Sequence, residues 1–205
     1  GGGDGGCGGG GCGGGGGDGG GTCQSPGGSD SLLQRLQQEG RFSALLQAVT
    51  KAGLAATLDE RGANLTLFAP DNDAFDRLGA RVGRGDRNGL VAGLSATQWN
   101  DILRFSLLPQ RRSLCALTPP AGQDLRPQTL YIQPTGDAAQ LIFLRDNGGP
   151  LTILGRAGRS NVTLTQSDLG AVNGVMHVPS DVLLPGYVLT LSTREQHIRR
   201  EKATC

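Results

Sequence analysis

The apolar residues of this chain change their period once, and that change limits the fold more than any other feature. Before Pro109 they recur at helical spacing: Phe42, Leu45, Leu46 and Val49 fall at i, i+3, i+4 and i+7, one stripe of a helix. Beyond Pro109 the spacing alternates, with candidate strands at 129–133, 141–144, 151–154, 162–165 and 175–178 separated by Gly, Pro and Asn. A strand buries every second side chain and a helix every third or fourth, so neither half can take the other's structure without exposing its apolar set. Helices gathered first and strands gathered later predict an α+β domain with an antiparallel or mixed sheet. A doubly wound fold, in which the two alternate, is disfavoured. No glycine fingerprint follows a strand, and no cofactor is expected.

Local signals mark the element ends. Ser29 or Asp30 can cap a helix carrying Leu32, Leu33 and Leu36, and Gly53 can help to end the helix built on Phe42 to Val49. Residues 64–69 read as a short strand with Leu65 and Leu67; Pro70 stops it, and Asp71 or Asn72 opens a helical turn holding Phe75. Residues 81–88 read as a Gly/Arg/Asp loop. Ser95 with Gln98 three residues on reads as a capping box for a helix bearing Trp99, Ile102 and Leu103. Asn173-Gly174 is a tight-turn pair ahead of Val175-Met176-His177-Val178, whose alternation sends His177 into the core as a hydrogen-bonded histidine.

Composition divides the chain before any motif does. Residues 1–21 are glycine interrupted only by Asp4, Cys7, Cys12 and Asp18, with almost no apolar surface to bury. Two readings stand for this arm: a flexible linker, or a docking element whose extended strands pair when neighbours supply hydrogen-bond partners. The expected division is a glycine-rich arm at 1–28, one folded domain at 29–185 and a C-terminal extension at 186–205. The extension begins with alternating Tyr187-Val188-Leu189-Thr190-Leu191 and continues as a charged, solvated run. Lys and Arg number 19 against 18 Asp and Glu, so no excess charge points to nucleic acid or an anionic surface. No run reaches the roughly 18 apolar residues of a membrane span. The first residues do not read as a signal peptide, so any targeting peptide is expected to have been removed.

Two segments carry a family resemblance. Thr66-Leu67-Phe68-Ala69-Pro70-Asp71-Asn72-Asp73-Ala74-Phe75 resembles the first signature of fasciclin domains. Val172-Asn173-Gly174-Val175-Met176-His177-Val178, followed by Val182-Leu183-Leu184-Pro185, resembles the second. Residues 101–109 are similar to the end of the family's central helix, and the resemblance covers about 31–185. It implies a β-sandwich wedge flanked by a bundle of small helices. It also implies a secreted or surface-attached protein of adhesion or matrix, whose work is binding. Where many members carry a Tyr-His pair linked to adhesion, this chain has Phe105-Ser106.

The expected function is therefore a non-catalytic extracellular adhesion or matrix-binding module, at the cell surface or cell wall, with proteins or matrix glycans as partners. The alternative is a structural accessory subunit of a large assembly, in an organelle lumen or on a filament, docked through the glycine arm. No nucleophile, base and orienting acid can be assembled from the spacings, so no enzyme activity is expected. The five cysteines are Cys7, Cys12, Cys23, Cys115 and Cys205. Cys115 can pair with Cys205 or Cys23 in an oxidising compartment, and Cys7 with Cys12 locally; an odd count leaves one thiol over. No Cys/His spacing suits a metal. Asn161-Val162-Thr163 and Asn64-Leu65-Thr66 match the N-glycosylation acceptor, Asn161 the better placed because Asn64 adjoins an apparently buried strand. Candidate partner-binding residues are Arg84 and Asp86, within an Arg84-Gly85-Asp86 tripeptide, together with Arg111 and Arg112.

Overall fold

The structure is a computed structural model that describes residue 23 and residues 26–145, 149–155 and 162–186. Among the described residues, seven α-helices and eight strands form in chain order: α1 Leu32–Gln38, α2 Ser43–Ala52, α3 Ala55–Asp59, β1 Leu65–Phe68, α4 Asn72–Arg81, α5 Arg87–Gly93, α6 Ala96–Phe105, β2 Leu107–Leu108, α7 Leu114–Leu117, β3 Asp124–Leu125, β4 Gln128–Ile132, β5 Ala138–Leu144, β6 Thr152–Gly155, β7 Val162–Ala171 and β8 Gly174–Pro179. A 3-10 turn, Gly40–Phe42, leads into α2. Side chains close the helix starts: Ser31 and Ser95 form capping boxes with Gln34 and Gln98, and Asp71, Asp86 and Ser113 cap α4, α5 and α7. Gly53 ends α2 at φ 72°, a left-handed position where a Cβ is strained.

The strands run in the order β2-β1-β8-β7-β6-β5-β3, with β4 also paired to β5. Every pairing is antiparallel except β1 with β8. That one parallel pair brings the two signature segments side by side, Leu65 opposite Gly174 and Phe68 opposite His177. The sheet turns along β7, which pairs β6 near its start and β8 over the rest. Phe68 and Leu108 from one side then meet Leu141, Phe143 and Ile153 from the other in a common cluster, where the Phe68 and Phe143 rings lie 5.7 Å apart. This is the sandwich wedge. A second and larger core holds the helices against the sheet, with Leu32, Leu45, Phe75, Trp99 and Ile102 packed on Leu67, Met176 and Val178. Because β1 lies between the two cores, all four of its residues are buried and the alternation expected there does not appear in its burial.

Several elements depart from the sequence reading. The cap of α1 is Ser31 rather than Ser29 or Asp30. Residues 87–93, read in part as loop, form α5 despite its two glycines, which are poor helix formers; burial of Leu90 and Val91 outweighs that weak preference. β2, β3 and α7 are two to four residues long, too short to establish a period.

Candidate binding surface

The side chains of the two signatures are used inward. Asp71 Oδ1 accepts the Ala74 amide at 2.9 Å, and Asn72 reaches across to bind the start of α2, accepting from Ala44 N at 3.0 Å and donating to Gly40 O at 3.1 Å. Asn173 does more than open a turn. Fully buried, it accepts from Leu32 N at 2.9 Å and donates to Leu58 O at 2.9 Å and Glu60 O at 3.0 Å, tying α1 and α3 to the sheet. Gly174 follows because a Cβ there would stand 2.4 Å from Leu65 O.

His177 is also fully buried, stacked on Phe68 at 5.7 Å between centroids. Its Nδ1 accepts from the Asp168 amide at 3.2 Å and its Nε2 meets the Arg112 carbonyl at 2.9 Å, which requires the neutral ring protonated on Nε2. Burial pushes its pKa below 6.5, partly opposed by the Arg112 carbonyl and by Asp168. The ring therefore joins β7 to the loop at 109–113. Thr66 holds the same loop, donating to Gln110 O at 2.6 Å and accepting from Arg112 N at 2.8 Å. Asp168, at φ 58°, accepts from Leu114 N at 2.9 Å.

That loop carries Arg111 and Arg112, both half-buried. Arg111 is engaged within the domain. Its guanidinium donates to Ala171 O at 2.7 Å, Val172 O at 2.9 Å and Pro26 O at 3.4 Å, a clamp on the chain entering the domain. Arg112 lies along the surface and donates to Gln110 Oε1 at 2.8 Å. Beside this clamp Cys23 is bonded to Cys115, and the chain at residues 26–28 passes so near β7 that a Cβ on Gly170 would stand 2.4 Å from Gly27 O.

Arg84 and Asp86 lie apart from the clamp, in the α4–α5 connection. Asp86 is exposed, but one carboxylate oxygen caps α5, accepting Gly89 N at 2.9 Å. Gly85 sits at φ 82°, and the Arg84 side chain covers Gly93, where a Cβ would come within 3.0 Å of it. The loop is braced by Arg87, whose guanidinium grips Asp76 through Nε at 3.1 Å and Nη2 at 2.5 Å. That ion pair lowers the Asp76 pKa and raises that of Arg87. The structure thus brings Arg111 and Arg112 together and leaves Arg84 and Asp86 on a separate face. Asn64 is exposed, away from the core that its neighbour Leu65 enters. Cys7, Cys12, Cys205 and Asn161 lie outside the described residues, as do residues 1–22 of the arm and the extension from residue 187. Phe105 and Ser106 are both buried, and Ser106 Oγ donates to Ile102 O at 3.1 Å.

Among the described residues no cluster of three or more His, Cys, Asp and Glu gathers closely enough to hold a metal, and no helix is long and apolar enough to cross a membrane. The sequence profile of the fasciclin domain matches residues 40–185. The chain belongs to the fasciclin domain family. The fasciclin domain of this chain is similar to pig transforming growth factor-beta-induced protein ig-h3, 28% identical over 80% of the chain and 20% of that protein. It is also similar to human periostin, 28% identical over 76% of the chain and 16% of that protein, so it spans a fifth or less of either. A third relative, protein sll1483 of Synechocystis sp., is 29% identical over 70% of the chain and 67% of its own length. The fold matches a FAS1 domain pair from the insect cell adhesion molecule fasciclin I, with a TM-score of 0.60 and 15% identity over 76% of this chain and 51% of that one.

Proposed function

We propose that this fasciclin domain is a non-catalytic binding module of adhesion or matrix, working outside the cell on proteins or matrix glycans. The observation that carries the reading is the profile match over residues 40–185, which takes in both signatures. Their polar side chains, Asp71, Asn72, Asn173 and His177, are engaged in caps and cross-links, and this leaves the surface as the working part. The Cys23–Cys115 bond supports an oxidising compartment, and exposed Asn64 is a suitable glycan acceptor there. The contact residues proposed are Asp86 and Arg84 on one face and Arg112 on another, with Arg111 holding the loop beneath Arg112.

The accessory-subunit alternative turns on the arm, which lies outside the described residues. The test of compartment is the intact mass of natural material, before and after reduction and glycosidase treatment. Added hexose mass and a gain of two or more protons on reduction support the proposal. An unmodified mass with every thiol free would remove it.

A further inference from the structure

Three Asn-Gly pairs occur in the chain. In such a pair the glycine has no Cβ to shield its amide nitrogen, which can attack the asparagine Cγ and close a cyclic imide. Asn173 is removed from this chemistry by burial and by three hydrogen bonds to its side chain, and Asn147 lies outside the described residues. Asn88 is exposed, at the second position of α5. A bulkier neighbour would slow the attack, but the packing admits none: a Cβ on Gly89 would stand 2.1 Å from Arg84 O. The close approach of the α4–α5 connection to α5 thus forces the glycine that makes this bond labile.

The same fold restrains the reaction. Gly89 N donates to Asp86 Oδ1 at 2.9 Å, so it points back along the helix and away from the Asn88 Cγ. Its neighbours are held too, Arg87 N by Asp76 Oδ1 at 2.8 Å and Leu90 N by Asp86 O at 2.9 Å. The far end of α5 is fixed where Lys51 Nζ donates to Val91 O at 2.9 Å and Ala92 O at 3.1 Å, and Trp99 Nε1 to Val91 O at 3.2 Å. Attack therefore requires α5 to open.

We propose that Asn88 is a deamidation site held latent by α5 and released when the Asp86 cap lets go. In the open helix Gly89 N gives up its proton to water and bonds to the Asn88 Cγ. The Cγ–Nδ2 bond breaks, and ammonia leaves with a proton taken from water. Water then opens the imide at either carbonyl, leaving aspartate or isoaspartate at position 88. Either product adds a negative charge two residues from Asp86. Isoaspartate also adds a carbon to the main chain, so the first turn of α5 cannot re-form and the burial of Leu90 and Val91 is weakened. The inference is independent of the adhesion reading, because it needs no partner.

Peptide mapping of the amide-to-acid mass change at residue 88 tests it. The samples are the full chain, its Asp86→Ala and Asp86→Asn variants, and a free peptide of residues 84–92, all held at mildly alkaline pH. The expected result is conversion in the parent at least about tenfold slower than in the peptide, and about fivefold faster in Asp86→Ala than in the parent, the change in opening that loss of one cap brings. Asp86→Asn, which caps about as well, should match the parent. If the alanine variant does not fold, Lys51→Met, which frees the other end of α5, takes its place with the same outcomes. Equal rates in the parent and Asp86→Ala would overturn the proposal. So would a parent that converts as fast as the peptide, or an Asp86→Asn variant as fast as Asp86→Ala.

Discussion

At the scale of single residues, two side chains show how a surface group becomes part of the frame. Arg111 gives its donors to three backbone carbonyls, and hydrogen bonds from a charged group contribute about 1.5–3 kcal/mol when they are shielded. Arg111→Ala is therefore expected to lower stability by about 1–2 kcal/mol, read as a fall in the urea midpoint, whereas Arg112→Ala should leave that midpoint nearly unchanged. Equal and negligible effects would return Arg111 to the surface. His177 gives a pH dependence of definite sign. Its pKa is lowered in the folded state, so the unfolded chain takes up the proton first and stability falls as pH drops below about 6.5. Asp76 has the same sense in a lower window, because its paired carboxylate is lost only as pH falls through a pKa already below 3.8. Thermal melts between pH 7.5 and 5 should thus show a decline that His177→Gln flattens, and a variant declining as steeply as the parent would contradict the assignment.

At the scale of elements, the segment that enters the domain and the short helices depend on links more than on period. Cys23 and Cys115 are separated by 92 residues, and a bond closing a loop of that length contributes roughly 2–4 kcal/mol. Cys23→Ser with Cys115→Ser should lose about that much in denaturant melts, and loss of the pair without effect would mean that the bond adds nothing to the fold. The helix at 43–52, the capping box at Ser95 and the five alternating runs were readable because each repeats a period or a cap over enough residues to stand out. The α5 helix was not, since its stability comes from Leu90 and Val91 meeting distant side chains and from an Asp86 cap within a run that looks like turn chemistry. Asn173 showed the same limit. Its neighbour glycine marked a turn, but its three partners come from segments more than 100 residues earlier, and no local pattern reports them. The surface pair Arg111 and Arg112 looked alike in sequence, and only the path of the entering chain separates their roles.

At the scale of the whole molecule, the signatures lie at the centre of the domain and the contacts proposed for binding lie in loops on its faces, so that fold and the proposed function draw on different residues. Asp86 allows the two to be told apart, because asparagine caps a helix about as well as aspartate while carrying no charge. Asp86→Asn should then preserve the melting midpoint, and Asp86→Ala should lower stability by about 1 kcal/mol. The measurement that bears most directly on the adhesion reading is attachment of cells or matrix to the immobilised, oxidised chain, with Asp86→Asn and Arg84→Ala beside it. Saturable attachment that falls severalfold in those variants, at unchanged stability, is the predicted result. Attachment no greater than to an inert protein, from material in which the Cys23–Cys115 bond has been mapped, would contradict it.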